Sequence, residues 1–518
     1  MKKYALALTL SALAAAGAHV SLLAQGPPQF LTRPILLHVG EDGLDHGHFI
    51  FAGEESAIPG PLAPNYGTAT FDAAATGGEA LLTGGDGAGI NPDVNVSNSP
   101  DSYEGETGAT GSVSASGLIV AGSNHIYPGN CSASATTGTF GDCAPLAYAS
   151  TDGATFTRTA LPRVWNNTTF GIGFDPAVDV DSTGTFYYSY GVAPLSGSYP
   201  NAIVVAKSAD GVHWTKAAPV TFNRNKAFDD KYYMAIDRSA RTFNDRIYVS
   251  WDRNQGNNQT LYLAYSSNGG ATWSAPIKVN DGTTGFERVI GAYPAVDQNT
   301  GVVYDSWHDY ARNVIFVDKS SSGGATWGRD VAATTTHAGF GKDIGCVGTR
   351  SQGPAHALKV GSTGVLYLVY ADPVNGRGFD VLMTRSANGG ATWSTPVSLN
   401  DDAGAADQFH PTLSVEPNGL GGDKVTVTFY DRRDDPANCA AHVYATQSTD
   451  GGVTWSANVR ETTQSSNFDG NTNGPGDYSS STPSLGLGGV FPFFSDHRAS
   501  NPQTAAGGGF DVYTVKVQ

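Results

Sequence analysis

Basic side chains are scarce in this sequence. Lysine and arginine number 30 against 47 aspartates and glutamates, a formal charge of −17. That argues against a nucleic-acid partner, whose phosphates need clustered Lys and Arg. Charge of either sign is thin, at 15% of residues against 40% hydrophobic, which is a folded composition without a disordered acidic tail. Beyond the N-terminus no stretch shows helical periodicity, and none approaches the roughly 18 apolar residues needed to span a bilayer. Cysteine is limited to four residues with no CxxC pair, which disfavours a zinc site. P-loop, GxSxG and EF-hand strings are absent as well. No cofactor and no metal is expected; "DHGH" (45–48) and His38 stand in an irregular region and are read as incidental.

Glycine, by contrast, is abundant, at 65 of 518 residues. Helices tolerate it poorly, whereas turn-rich β-structure needs it. The first 24 residues are a different matter: Lys2 and Lys3 precede an apolar run that ends in small residues. This is the pattern of a secretory signal peptide, cleaved after Ala18 or Ala24, and predicts a secreted or periplasmic protein. Such a compartment favours disulfides. Cys131 and Cys143 bracket a polar loop and are expected to pair, leaving Cys346 with Cys439. Residues 25–89 are Gly/Ala/Pro-rich with little periodicity and are expected to form an irregular extension.

From residue 150 onward one phrase recurs. It reads "STDGATF" (150–156), "SADGVHW" (208–214), "SSNGGATW" (266–273), "SSSGGATW" (320–327), "SANGGATW" (386–393) and "STDGGVTW" (448–455). Successive serines lie 54 to 66 residues apart, the signature of a repeat architecture. Around each phrase are four short alternating runs, such as "PAVDVD", "GTFYYSYG" and "AIVVAKS" before the second copy. Four-stranded units repeated around a ring make a β-propeller. A seventh unit begins near Gly476 but ends with its third strand at Gln518. The stretch "INPDVNVSN" (90–98) can supply the fourth and remove the open edge. The expectation is an all-β, seven-bladed propeller over 90–518, six blades carrying the glycine turn. In each turn the Ser and Asp/Asn oxygens can accept backbone N–H groups. Trp214, Trp273, Trp327, Trp393 and Trp455 are expected to fold back between neighbouring sheets.

The phrase resembles the Asp-box, or bacterial neuraminidase repeat, of secreted propellers in the sialidase-like superfamily. The resemblance implies a site on the face opposite the boxes. In sialidases that site has three arginines for the substrate carboxylate, a tyrosine nucleophile with its glutamate, and an acid/base aspartate. The Phe/Tyr-Arg-Ile-Pro string that goes with it is absent here; the nearest, "TRPI" (32–35), has the last two residues reversed and lies far upstream.

Topology places two sets of loops on the face opposite the turns: those joining strands two and three, and those linking blades. They carry Arg253, Arg288, Arg432, Arg433 and Arg498 together with Asp252, Asp309, Asp372, Asp431 and Asp496. An Asp repeated at the end of strand two is most simply a loop cap. His410, Tyr478, Glu287, Arg288 and Arg433 fall outside that repetition. Tyr478 and Glu287 are the candidate catalytic pair, and the others are candidate ligand-binding residues, with Trp251 and Trp307 nearby. Two functions stay open: a glycan-directed propeller, binding or hydrolysing, and a non-catalytic propeller for a protein partner at the cell surface.

Overall fold

The computed structural model describes residues 67–68, 70–71, 91–97, 107–109, 117–124, 145–194, 200–224, 227–255, 258–282, 288–338, 344, 355–374, 378–468, 475–484, 487–498 and 511–518. Among them no helix occurs. Seven four-stranded antiparallel sheets form a ring, the seven-bladed β-propeller expected from the repeat. Ring closure is visible in the innermost strands. Thr107–Ala109 touches Ile172–Val180, which touches Phe228–Ile236, and the contact passes on through Val289–Val296, His356–Val360 and Gln408–Pro417. Ser480–Pro483 then meets both Gln408–Pro417 and Thr107–Ala109 again.

The second and third strands of a blade read as almost continuous apolar runs because neighbouring blades cover both faces. Phe186–Ala193 is buried throughout, and Leu366–Pro373 along all but its last residue. Apolar side chains accordingly gather into seven clusters, which fill the interfaces between adjacent blades, one of them reaching across blades five, six and seven. Packing there is close. A Cβ on Gly191 would lie 2.4 Å from the Tyr232 hydroxyl, which donates to the Phe174 carbonyl across the interface.

All six glycine turns share one hydrogen-bond pattern. Ser266 Oγ donates to Asn268 Oδ1 and accepts the Gly270 N–H at 2.9 Å, while Asn268 Oδ1 accepts the Thr272 N–H. Equivalent serine acceptors serve Gly153, Gly211, Gly324, Gly390 and Gly452 at 2.7–3.0 Å. Gly270 needs a positive φ of 79°, which glycine adopts without steric cost. Ser386→Ala would strand the buried Gly390 N–H. The expected loss is about 1–3 kcal/mol, to be read from urea unfolding; an unchanged midpoint would remove the turn's folding role.

The tryptophans need one correction. Trp455 is fully buried, but Trp214, Trp273, Trp327 and Trp393 are only half-buried. They sit at the rim, where the fourth strands are only two residues long in several blades, so their rings cover cluster edges rather than fill interfaces. Trp273 still reaches back, donating Nε1–H to the Ala218 carbonyl at the end of the preceding blade.

The last blade closes as its strand count required. Val94 pairs with Thr514 and Asn95 with Tyr513, and Ser97 Oγ donates to Asp511 at 2.7 Å. Of the 25–89 extension, Gly67–Thr68 pairs in parallel with Val397–Ser398, and Thr70–Phe71 with Thr454–Trp455. Cys131, Cys143 and Cys346 lie outside the described residues; Cys439 is not a free thiol.

Candidate functional site

The first strands of blades two, three, four and six each break register near their start. The shifts fall between Phe174 and Ala177, Asp230 and Tyr233, Ile290 and Tyr293, and Phe409 and Thr412. At each break one residue has left-handed backbone: Asp175 at φ 55°, Lys231 at 43°, Gly291 at 74° and His410 at 50°. Such bulges re-aim a side chain, and a non-glycine residue in this region costs about 1–2 kcal/mol. A first strand starts on the face opposite the glycine turns and lines the axis. The bulges therefore surround that mouth, and three of them place a buried polar side chain there.

Lys231 is the centre of the cluster. Its Nζ lies 2.6 Å from Asp477 Oδ2 and 3.6 Å from Asp175 Oδ2. Tyr478 donates its hydroxyl to Asp175 Oδ2 at 3.1 Å, and the ammonium sits 5.4 Å from the Tyr478 ring centroid. Asp230 accepts the Lys231 backbone N–H. Cross-strand from Asp230 is Asp252, fully buried, with Oδ1 lacking any hydrogen-bond partner. Burial, with Asp230 beside it, pushes the Asp252 carboxyl well above the usual range despite the pull of Lys231. Burial and the Asp175 charge likewise raise the Tyr478 phenol.

Aromatic rings complete the mouth. Tyr233 lies 4.8 Å from Tyr478 and 4.5 Å from Tyr293, centroid to centroid. Tyr293 lies 6.3 Å from His356. In a seven-membered ring, blades three and four stand diametrically opposite blade seven, so these rings bridge the axis. Tyr233 and Tyr293 remain partly exposed, whereas Trp251 and Trp307 are fully buried. The partly exposed rings at the mouth are therefore tyrosines.

The residues singled out from the sequence divide into two sets. Tyr478, Asp252 and His410 fall in or beside the cluster; Ser479 Oγ donates to the His410 carbonyl. The arginines go elsewhere. Arg253 forks onto Asp229 at 2.6 and 2.9 Å. Arg433 reaches Asp431 and Asp401, and Arg498 reaches Asp496 and Asp93. Arg432 is fully buried, donating to the Ile344 carbonyl at 2.9 Å, with Asp407 at 3.4 Å. Arg288 hydrogen-bonds the Tyr310 hydroxyl. Asp309 accepts the Ala311 and Arg312 N–H groups of its own loop, and Asp372 accepts those of His337 and Ala338. Glu287 lies outside the described residues. Asp175, Lys231, Tyr233 and Asp477 were not singled out from the sequence. Their one sequence signal is the proline after two of the bulge residues, Pro176 and Pro411, since proline cannot donate to a ladder. Among the described residues no group of three or more His, Cys, Asp or Glu could hold a metal.

Buried ionisable groups set a pH dependence. Burial lowers His356 to about 4 and His308 to about 3. Burial raises Asp305 to about 8 and Glu461 to about 7. The histidines are neutral when folded, so their share of stability is lost as pH falls from about 6.5. The two acids are protonated when folded, so theirs is lost as pH rises from about 4 toward 7 and 8. The two effects oppose each other between about pH 4 and 6.5, and above pH 6.5 only the loss from the acids remains, so stability should fall as pH rises from about 6.5 to 8. Between pH 6.5 and 8 Asp305 contributes a loss of about 2 kcal/mol. Thermal melts of Asp305→Asn should lack most of that alkaline decline; an unaltered decline would contradict the assignment.

No protein-family model matches the chain, and no curated protein matches it. Solved structures with some likeness include an ulvan lyase bound to a sugar fragment, at 11% identity and TM-score 0.48, covering 82% of this chain and 96% of that one. The intramolecular trans-sialidase of Ruminococcus gnavus is 14% identical, with TM-score 0.41 and coverage of 82% and 96%. A protein of unknown function from Dyadobacter fermentans is 11% identical, with TM-score 0.44 and coverage of 82% and 98%. At these values the likenesses carry no argument about activity.

Proposed function

We propose that this chain is an exported Asp-box propeller of the sialidase-like kind that binds glycans at the axial mouth opposite its glycine turns. The observation that carries the reading is the Lys231–Asp175–Asp477 cluster with Tyr478. Polar side chains from blades two, three and seven meet there, those of blades two and three on left-handed backbone, beside partly exposed tyrosines. Strain of this kind is retained where the surrounding structure over-determines it, commonly at ligand sites. Carboxylates accept sugar hydroxyls, and tyrosine faces cover the apolar side of a pyranose.

Binding rather than sialoside cleavage is favoured by the arginines: Arg253, Arg433 and Arg498 are each committed to carboxylates and do not converge on a shared ligand site. The export signal at 1–24 and the Cys131–Cys143 and Cys346–Cys439 disulfides belong to the same proposal. For the second bridge, the Arg432 bond to the Ile344 carbonyl holds the chain near Cys346 against the loop that carries Cys439.

The test is a glycan array run beside a panel of fluorogenic glycosides that includes a sialoside. Array binding without turnover, weakened in Tyr478→Phe, is expected. Turnover lost in that variant would make the protein a glycosidase, and silence in both assays would leave a protein partner.

A further inference from the structure

We propose that the axial mouth selects uncharged glycans and rejects those bearing carboxylate or sulfate groups, an inference that rests on the carbohydrate reading above. Charge around Lys231 is lopsided. Asp175 and Asp477 lie within 3.6 Å of its Nζ, and Asp230 takes its backbone N–H at 3.0 Å. Two carboxylates thus share one ammonium, with the Asp230 carboxylate on the adjoining residue. Asp252 is fully buried beside Asp230 with Oδ1 unpartnered.

A carboxylated or sulfated sugar would need a cation to replace its water, and the nearby cations among the described residues are engaged. Arg253 is forked onto Asp229. Arg433 and Arg498 each reach two carboxylates. Arg432 is fully buried against Phe409, and Arg288 bonds Tyr310. Lys359 lies over the Tyr293 ring at 5.9 Å.

A neutral sugar matches instead. Its hydroxyls are donors, and the mouth is rich in carboxylate acceptors. Its C–H faces can lie on Tyr233 and Tyr293, both partly exposed.

The experiment is calorimetry of the full chain with oligosaccharide pairs that differ by one charged group: a galactose-terminated glycan against its sialylated form, and xylo-oligosaccharide against glucuronoxylo-oligosaccharide. The neutral member should bind roughly a hundredfold more tightly, because like charges brought together cost several powers of e in binding. Raising salt from 50 to 500 mM should narrow the gap by lifting only the charged member. Asp477→Asn, checked for native circular dichroism, should narrow it at least tenfold. Equal binding within pairs, preference for the charged member, or a gap indifferent to both salt and Asp477→Asn would overturn the selectivity while leaving the carbohydrate reading in place. Binding by neither member of any pair would remove the carbohydrate reading itself.

Discussion

Lys231→Met should destabilise the folded ring by about 3–5 kcal/mol, the cost of leaving buried charges without their partner. The ammonium is one-tenth exposed and the Asp175 side chain almost wholly buried. With the cation gone, Asp175 loses its ion pair while keeping the hydrogen bond from the Tyr478 hydroxyl, and the left-handed backbone at position 231 remains to be held. Urea unfolding reads the loss. Adding Asp477→Asn should recover part of it, because one of the stranded charges disappears; double-mutant coupling near zero would mean that the three groups do not act together. Methionine fills similar volume, so a cavity does not account for the effect.

Arg498→Met should have an effect of the same order, about 3–5 kcal/mol, and should also open the ring. The guanidinium is buried, 2.6 Å from Asp496 and 2.7 Å from Asp93, and 3.8 Å from the Tyr513 ring centroid. Asp93 precedes the closing strand Val94–Asn95 and also accepts the Thr463 N–H and hydroxyl from the preceding blade. Losing Arg498 therefore loosens the one segment that completes blade seven. Limited proteolysis followed by intact mass should show faster cleavage near residue 97 than in the wild type. Equal cleavage rates at matched stability would show that hydrogen bonds along Val94–Val96 suffice to hold the latch.

The ring was legible because a turn repeated six times fixes its own geometry. A serine, an Asp, Asn or Ser two residues on, and one or two glycines can satisfy the turn's N–H groups in few ways, and the count of strands left one place for residues 90–98. The site was legible only in part. Two arginines offered for ligand binding follow an aspartate by two residues: Asp431 with Arg433, and Asp496 with Arg498. On an extended chain that spacing puts both side chains on one face, so the pairing with their own carboxylates was readable and outweighs a ligand role. Arg253 and Asp229 meet by cross-strand register, which the sequence does not print. Lys231 and Asp175 escaped notice for another reason. Their projection toward the axis depends on a positive φ at a bulge, and neither is glycine, so no residue type announced it. Tyr478 was found because it stands in a blade link outside the repeat.

The central claim is that ligand enters at the axial mouth and not at the face of the glycine turns. Diazirine-bearing galactosides, glucosides and mannosides, photolysed with the full chain and mapped by peptide mass spectrometry, test it most directly. Label on the peptides that contain Asp175, Lys231 and Asp477–Tyr478 is the expected result. Label concentrated on the turns at 266–273, 320–327 and 386–393 would contradict it.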